Sequence, residues 1–265
     1  MNLNRSPTLL RIWFCFYLLT PSVFPLDCTK TLTSISVHQK VESLFDVYSE
    51  LQKVQENGKT KLAAQTPFLH HIKESGGGAC ASVTAFNLLQ GLRVMAHLEP
   101  LKAGSIMWRA FKKIPELRDG RVTNVQMTQL LNYFEKYLPD HHLNIKVQRA
   151  AISADGEGKV WKKITPQLFE VKPNEVKILS YQVHSNGQLL GRHFVVIKKN
   201  GEDNSIVVVD PNRPEKDYTY FFKRIKTDKN SEPFTQLVRS LTSVPSPFEQ
   251  TLIVDSLFTV QLKPQ

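Results

Sequence analysis

Cys80 closes the glycine-rich stretch ESGGGACASVTAF (residues 74–86) and opens an apolar run. A cysteine in such a place can act as a nucleophile. Glycines at 76–78 let the backbone turn sharply and leave room for a substrate chain to approach. The run that follows has helical periodicity, so Cys80 falls in a first helical turn. Unpaired amides and the helix dipole there favour thiolate over thiol. The same amides can hold an oxyanion formed at an attacked carbonyl. The bland alternative is a small buried hydrophobe at a helix start. A phosphate-cradling loop is excluded, because Cys80-Ala81-Ser82 supplies no lysine at the offset that chemistry needs. Dinucleotide G-x-G-x-x-G spacing is missing too.

A second constellation lies more than a hundred residues on. GRHFVVIKKNGEDNSIVVVDPNRP (residues 191–214) reads as strand, turn at Asn200-Gly201, strand. In a register that pairs Lys199 with Asn204 across a four-residue loop, His193 stands opposite Asp210. Facing residues of an antiparallel pair project to one side within hydrogen-bond reach. A carboxylate so placed fixes the imidazole tautomer and stabilises the imidazolium. The flanking residues are almost wholly apolar, as in central strands. The alternative is a surface ion pair at a strand end.

These groups need elements to position them. Apolar spacing predicts helices over residues 37–55, ended by Asn57-Gly58, then 80–94, 106–114 and 125–138. The apolar side of the second helix is expected to run through Val83, Phe86, Leu89 and Leu92 or Val94. Trp108 and Trp161 are expected to be packing residues. After residue 175 the period changes to two, and strands are predicted over 175–184, 193–199, 205–210, 218–225 and 251–262. A polar gap spans 226–250. Helices first and an antiparallel sheet afterwards is an α+β pattern.

The glycine-loop cysteine at a helix start, the Gly-x-His-Phe-Val-Val-Ile strand and the strand ending in Val-Asp-Pro occur in the order Cys, His, Asp. Together they resemble papain-like cysteine peptidases, in particular the bacterial double-glycine (bacteriocin-processing) peptidases and their standalone relatives. The likeness covers residues 67–225 as an architecture and is sharp only around the three segments. It implies a papain-like fold, with N-terminal helices packed on a C-terminal antiparallel sheet. It implies Cys80 as nucleophile, His193 as general base and Asp210 as its orienter. The chain departs from that pattern at Glu74, where the family has a glutamine that donates to the oxyanion; an ionised carboxylate cannot donate. Gln65 is the only glutamine in the upstream loop, and Ala-Ser-Val follows the cysteine.

The N-terminus has cations at Arg5 and Arg11, an apolar stretch from Leu9 to Leu19, then small residues and prolines. That is the layout of a secretory signal peptide, too short for a comfortable membrane span. The expected organisation is a signal peptide over 1–26, a helical extension over 27–66 and a peptidase-like domain over 67–265. The mature chain would be exported, to a periplasm or the extracellular space, with no stable membrane span. Only Cys28 and Cys80 remain after cleavage, so a disulfide-stapled fold is excluded. A single Cys28–Cys80 bridge would silence Cys80.

The 265 residues are 41% hydrophobic and 22% charged, an ordinary globular balance. A net charge of +10 permits anionic lipid, cell-wall polymer or nucleic acid as partners. No basic and aromatic stripe stands out in the sequence, and nucleic acid is not expected. His70-His71 and His141-His142 lack zinc-ligand spacing, so neither metal nor cofactor is expected. His184 lies near a strand end, where it could line a cleft. The expected partner is a peptide or protein substrate, cleaved through a thioester. A transglutaminase-like acyl transferase and a non-catalytic exported binding protein are the competing readings.

Overall fold

The computed structural model describes residues 43, 45, 54–56, 59–61, 80–96, 98, 101, 103–118, 122–138, 143–150, 159–161, 164–201, 205–211, 218–225, 234–238 and 250–263. The segment expected to be a signal peptide, most of the 27–66 extension, Gln65, Glu74, the 76–78 glycines, Cys28 and both adjacent histidine pairs lie outside these residues.

Helix α1 (Cys80–Met95) is wrapped by the rest of the protein on every side. The spacing predicted one apolar stripe, but Ala81, Leu88, Ser82, Thr84, Asn87 and Gln90 are buried as well. A helix enclosed on all faces has to satisfy its polar side chains internally. Gln90 does so by clamping Leu101. Its Nε2 donates to the Leu101 carbonyl at 2.7 Å, and its Oε1 accepts from the Leu101 N–H at 3.1 Å. Helix α2 (Ala103–Lys113) starts three residues before the predicted span and gives way to a 3-10 turn at Pro115–Arg118. Helix α3 (Asn124–Glu135) is fixed at its start by a capping box in which Thr123 and Gln126 bond each other's main chain.

Strands β1 (Val54–Glu56) and β2 (Lys59–Lys61) pair antiparallel, with Glu56 opposite Lys59. Gln55 is therefore in a strand, where the periodicity predicted a helix running to that residue. In sequence, Asn-Gly between two short polar runs is among the strongest hairpin signals, stronger than the weak helical spacing before it. The 27–66 extension is not wholly helical.

The main sheet comprises β3 (Leu143–Ala150), β4 (Lys159–Trp161), β5 (Glu175–Ser185), β6 (Gln188–Lys199), β7 (Ser205–Val209), β8 (Tyr218–Ile225), β9 (Phe234–Val238) and β10 (Thr251–Leu262). Their spatial order is β4-β3-β10-β5-β6-β7-β8-β9. Every pairing is antiparallel except β3 with β4. The strand β9 lies in the predicted polar gap, and β3 and β4 are additions to the predicted set.

The sheet also curls back on itself. β9 pairs with the beginning of β10, Leu237 opposite Leu252, so β5 to β10 form a closed loop of strands. A bulge at Asp255 divides β10 into two stretches. The residues before it pair with β5 and β9, and those after it pair with β5 and β3. Bulges bend and twist a strand, which lets one strand serve both arrangements.

Alternation along the strands produces two cores. Val195, Ile197, Ile206, Val208, Val254 and Leu257 belong to one cluster, closed by Phe169 and Phe222 stacked at 4.5 Å. Phe194, Val196, Val209 and Phe258 face the other way, into the helices. The protein is α+β with a large antiparallel sheet, as expected. No helix among the described residues is long and apolar enough to cross a membrane.

Candidate active site

The β5–β6 hairpin turns at Asn186 (φ 51°) and Gly187 (φ 76°), both left-handed. That pair suits a two-residue hairpin turn whose twist matches the strands. β6 starts at Gln188, so His193 is inside the strand rather than at its first residue. The first four positions of β6 are exposed, and its buried run begins at His193. The ring thus stands where the strand passes from solvent into the core.

β7 joins β6 only from Val196, which faces Val209. Ahead of that point the β6 edge is occupied by α1. Thr84 Oγ1 donates to the Phe194 carbonyl at 3.2 Å, and the Cys80 thiol donates to the Arg192 carbonyl at 3.9 Å. Cys80 and Thr84 are one helical turn apart, so the helix lies along the strand edge with its N-terminus toward His193.

The β6–β7 register differs from the sequence expectation by two residues. Lys199 faces Ile206, not Asn204. The four-residue loop is 201–204, closed by the Asn200 N–H on the Ser205 carbonyl at 3.1 Å and by Asn200 Nδ2 on Ser205 Oγ at 3.0 Å. Gly201 begins that loop with φ 59°. A two-residue slip keeps every side chain on its face, whereas one residue would have reversed it. His193 and Asp210 both lie just beyond the end of this ladder and meet there, with Nε2 to Oδ1 at 2.8 Å.

Since Nε2 is engaged by Asp210, Nδ1 is the nitrogen left for Cys80. The Tyr181 ring, opposite His193 on β5, meets the imidazole edge to face at 5.3 Å. Cys80 is a free thiol, not bridged to Cys28, and is only 4% exposed; His193 is 8% exposed. The structure thus brings together all three residues singled out in the sequence.

The electrostatics of the pair favour charge separation. Burial pushes the Cys80 thiol up, but the His193 charge and hydrogen bond and the main-chain N–H groups of Phe194 and Ala81 outweigh it, so its pKa is lowered. Burial pushes His193 down, yet the Cys80 charge and the bond to Asp210 raise it to about 10. Between those two pKa values the pair is thiolate and imidazolium. As pH rises, Cys80 loses its proton first and creates the reactive pair. His193 loses its own later and destroys it. We predict a bell-shaped kcat/KM profile with its acid limb below the ordinary thiol range and its alkaline limb near 10.

A further group escaped the sequence reading. The Arg192 guanidinium, beside His193, is paired through Nε with Asp255, which is wholly buried at the β10 bulge. Asp255 Oδ2 also accepts from Asn124 Nδ2 at 2.9 Å and from Ser180 Oγ at 3.5 Å. The signal was present, since Asp255 is the one charged residue in TLIVDSLFTVQL. Removing one member of a buried pair strands the other, at a cost of about 3–5 kcal/mol. Asp255→Ala should lower unfolding free energy by about that much in a denaturant titration; a loss below about 1 kcal/mol would mean that Arg192 re-pairs or hydrates.

Other expectations change. Trp108 is 53% exposed, not a packing residue, because its position on α2 turns away from the core. His184 bonds the neighbouring Gln182 at 3.0 Å and is not joined to the triad. Glu74 and Gln65 lie outside the described residues. Among the described residues no group of three or more His, Cys, Asp or Glu is placed to hold a metal. No protein-family model, curated protein or solved structure matches the chain. Function must be read from the site itself.

Proposed function

We propose that the protein is an exported cysteine hydrolase that cleaves peptide or other amide bonds through a Cys80-His193-Asp210 triad carried on a papain-like fold. The observation that supports this most is the buried imidazole bonded to Asp210 through Nε2 at 2.8 Å, with the Cys80 thiol held next to it on the Arg192 carbonyl at 3.9 Å. Cys80 thiolate attacks the carbonyl carbon, and the resulting oxyanion is held by amides at the start of α1. His193 gives its Nδ1 proton to the leaving amine, the C–N bond breaks and a thioester remains. Neutral His193 then takes a proton from water, whose oxygen attacks the thioester. The carboxylic acid leaves and the ion pair is restored.

Asp210 orients the ring by accepting from Nε2–H, a role that an amide carbonyl can also fill while the resting imidazole is protonated. Asp210→Asn should therefore cost about tenfold in kcat/KM, and Asp210→Ala on the order of a hundredfold. Equal losses in both would argue that the negative charge, not the acceptor, is what matters. The proposal is tested by incubating the purified protein with a complex peptide mixture and identifying new termini by mass spectrometry. New termini that vanish in Cys80→Ala support it; none in any condition that preserves the fold counts against it.

The low exposure of Cys80 and His193 favours a second reading, acyl transfer, because a thioester shielded from water survives until an amine arrives. An added primary amine would then be incorporated without net cleavage. A non-catalytic binding protein would show neither reaction.

A further inference from the structure

Helix α2 is two-sided. Ile106, Met107, Ala110 and Phe111 are buried, while Trp108, Arg109, Lys112 and Lys113 are exposed. From Ile106 onward, every exposed position of the helix is thus a tryptophan or a cation. The i, i+4 pairs 108/112 and 109/113 put these four side chains on one strip. Lys112 Nζ lies 5.9 Å from the Trp108 ring centre.

The strip continues onto the end of α3. Arg109 is near enough to act electrostatically on the hydroxyls of both Tyr133 and Tyr137. Lys136 Nζ sits 3.7 Å above the Tyr133 ring centre and 5.0 Å from that of Tyr137. Three aromatic residues and four cations therefore share one outer surface. Solvated faces ordinarily mix both signs of charge, and this one carries its cations beside amphipathic rings. Tryptophan, tyrosine, lysine and arginine are the residues that settle at a bilayer's headgroup level. The apolar side of α2 is taken by the core, so Trp108 and the cations are what this surface offers to the headgroup level.

We propose that the α2–α3 surface docks the protein on an anionic lipid bilayer, with Trp108 entering the headgroup region and Arg109, Lys112, Lys113 and Lys136 facing acidic headgroups. Nucleic acid fits less well. Base stacking needs open ring faces along a groove, whereas Lys136 covers Tyr133 and the strip lies on a convex helix. The inference does not depend on the thiol chemistry, because these residues are remote from the triad in sequence and role.

The test is co-sedimentation of the full chain with vesicles of phosphatidylcholine alone and of phosphatidylcholine with phosphatidylglycerol, alongside binding to a single-stranded oligonucleotide. The expected result is binding to the mixed vesicles, little to the neutral ones, and a loss on the order of a hundredfold in R109E/K112E/K113E. Trp108→Ala should weaken binding without removing its dependence on anionic lipid. Equal binding to both vesicle types, unchanged binding by the triple variant, or tighter binding to the oligonucleotide would each overturn it. A matching R109Q/K112Q/K113Q variant separates loss of attraction from misfolding, since it should lose binding to a lesser degree while its unfolding midpoint stays at the parent value. Failure here leaves the hydrolase reading intact, because Cys80→Ala is expected to bind vesicles as the parent does.

Discussion

Cys80→Ala is expected to abolish turnover, by about 10⁴-fold or more, while leaving the fold in place. The sulfur is the atom that bonds the acyl group, and no neighbour can take its place. Ser82 is the nearest hydroxyl in sequence, but it is buried on α1, one residue past the Ala81 amide that faces the thiolate. The fold survives because alanine keeps the Cβ and suits the first turn of a helix. Loss of one buried sulfur costs about 1 kcal/mol, little beside the apolar contacts around α1. The check is a paired measurement, product formation against the unfolding midpoint. Full activity in Cys80→Ala would remove the catalytic reading altogether.

His193→Ala is expected to cost about 10²–10⁴-fold in kcat/KM and to change the chemistry of Cys80 itself. The ring contributes both the charge and the hydrogen bond that hold the thiolate. Without it burial is opposed only by the main-chain groups of Phe194 and Ala81, and the thiol pKa must climb. The acid limb of any residual activity should therefore move to higher pH, and the limb near 10 should disappear because the group that titrates there is gone. A mere packing defect would lower activity at every pH and leave both limbs where they were. Packing does change somewhat, since Tyr181 loses the ring it meets at 5.3 Å. Comparison with Tyr181→Ala, which removes that contact but keeps the imidazole, separates the two effects.

Much of this site is legible from residue types alone, and the reason is the period of a strand. The predicted β6–β7 register was wrong by two residues, yet His193 and Asp210 still share a face because side chains repeat every two. The strands at 218–225 and 251–262 emerge with their predicted bounds, since both are dense in aromatic and β-branched residues. β3 is outside the predicted set although Leu143, Ile145 and Val147 alternate with polar residues, and FTQLV is too short to stand out from its polar surroundings. The closure of β9 onto β10 depends on a long-range pairing that no local pattern encodes.

The Arg192–Asp255 pair was harder to see for the same reason. One acid in an apolar strand announces that something must satisfy it, but its partner lies 63 residues away. The basic and aromatic surface is likewise split between two helices and is a stripe only once they pack. The α1 case differs again. The apolar spacing was real, but a stripe cannot reveal that the opposite side is covered too, and only Gln90 and its neighbours hint at it.

The central claim, that Cys80 and His193 form a buried ion pair, has a direct test that needs no substrate. Thiolate absorbance in the ultraviolet is followed against pH for the parent and for Cys80→Ala, and the difference is taken as the Cys80 signal. The account predicts a thiolate already present at pH values where an ordinary thiol, with its pKa of about 8.5, is fully protonated, and its loss at those values in His193→Ala. A difference signal that first appears as pH passes the ordinary thiol range, and that is indifferent to His193, would contradict it.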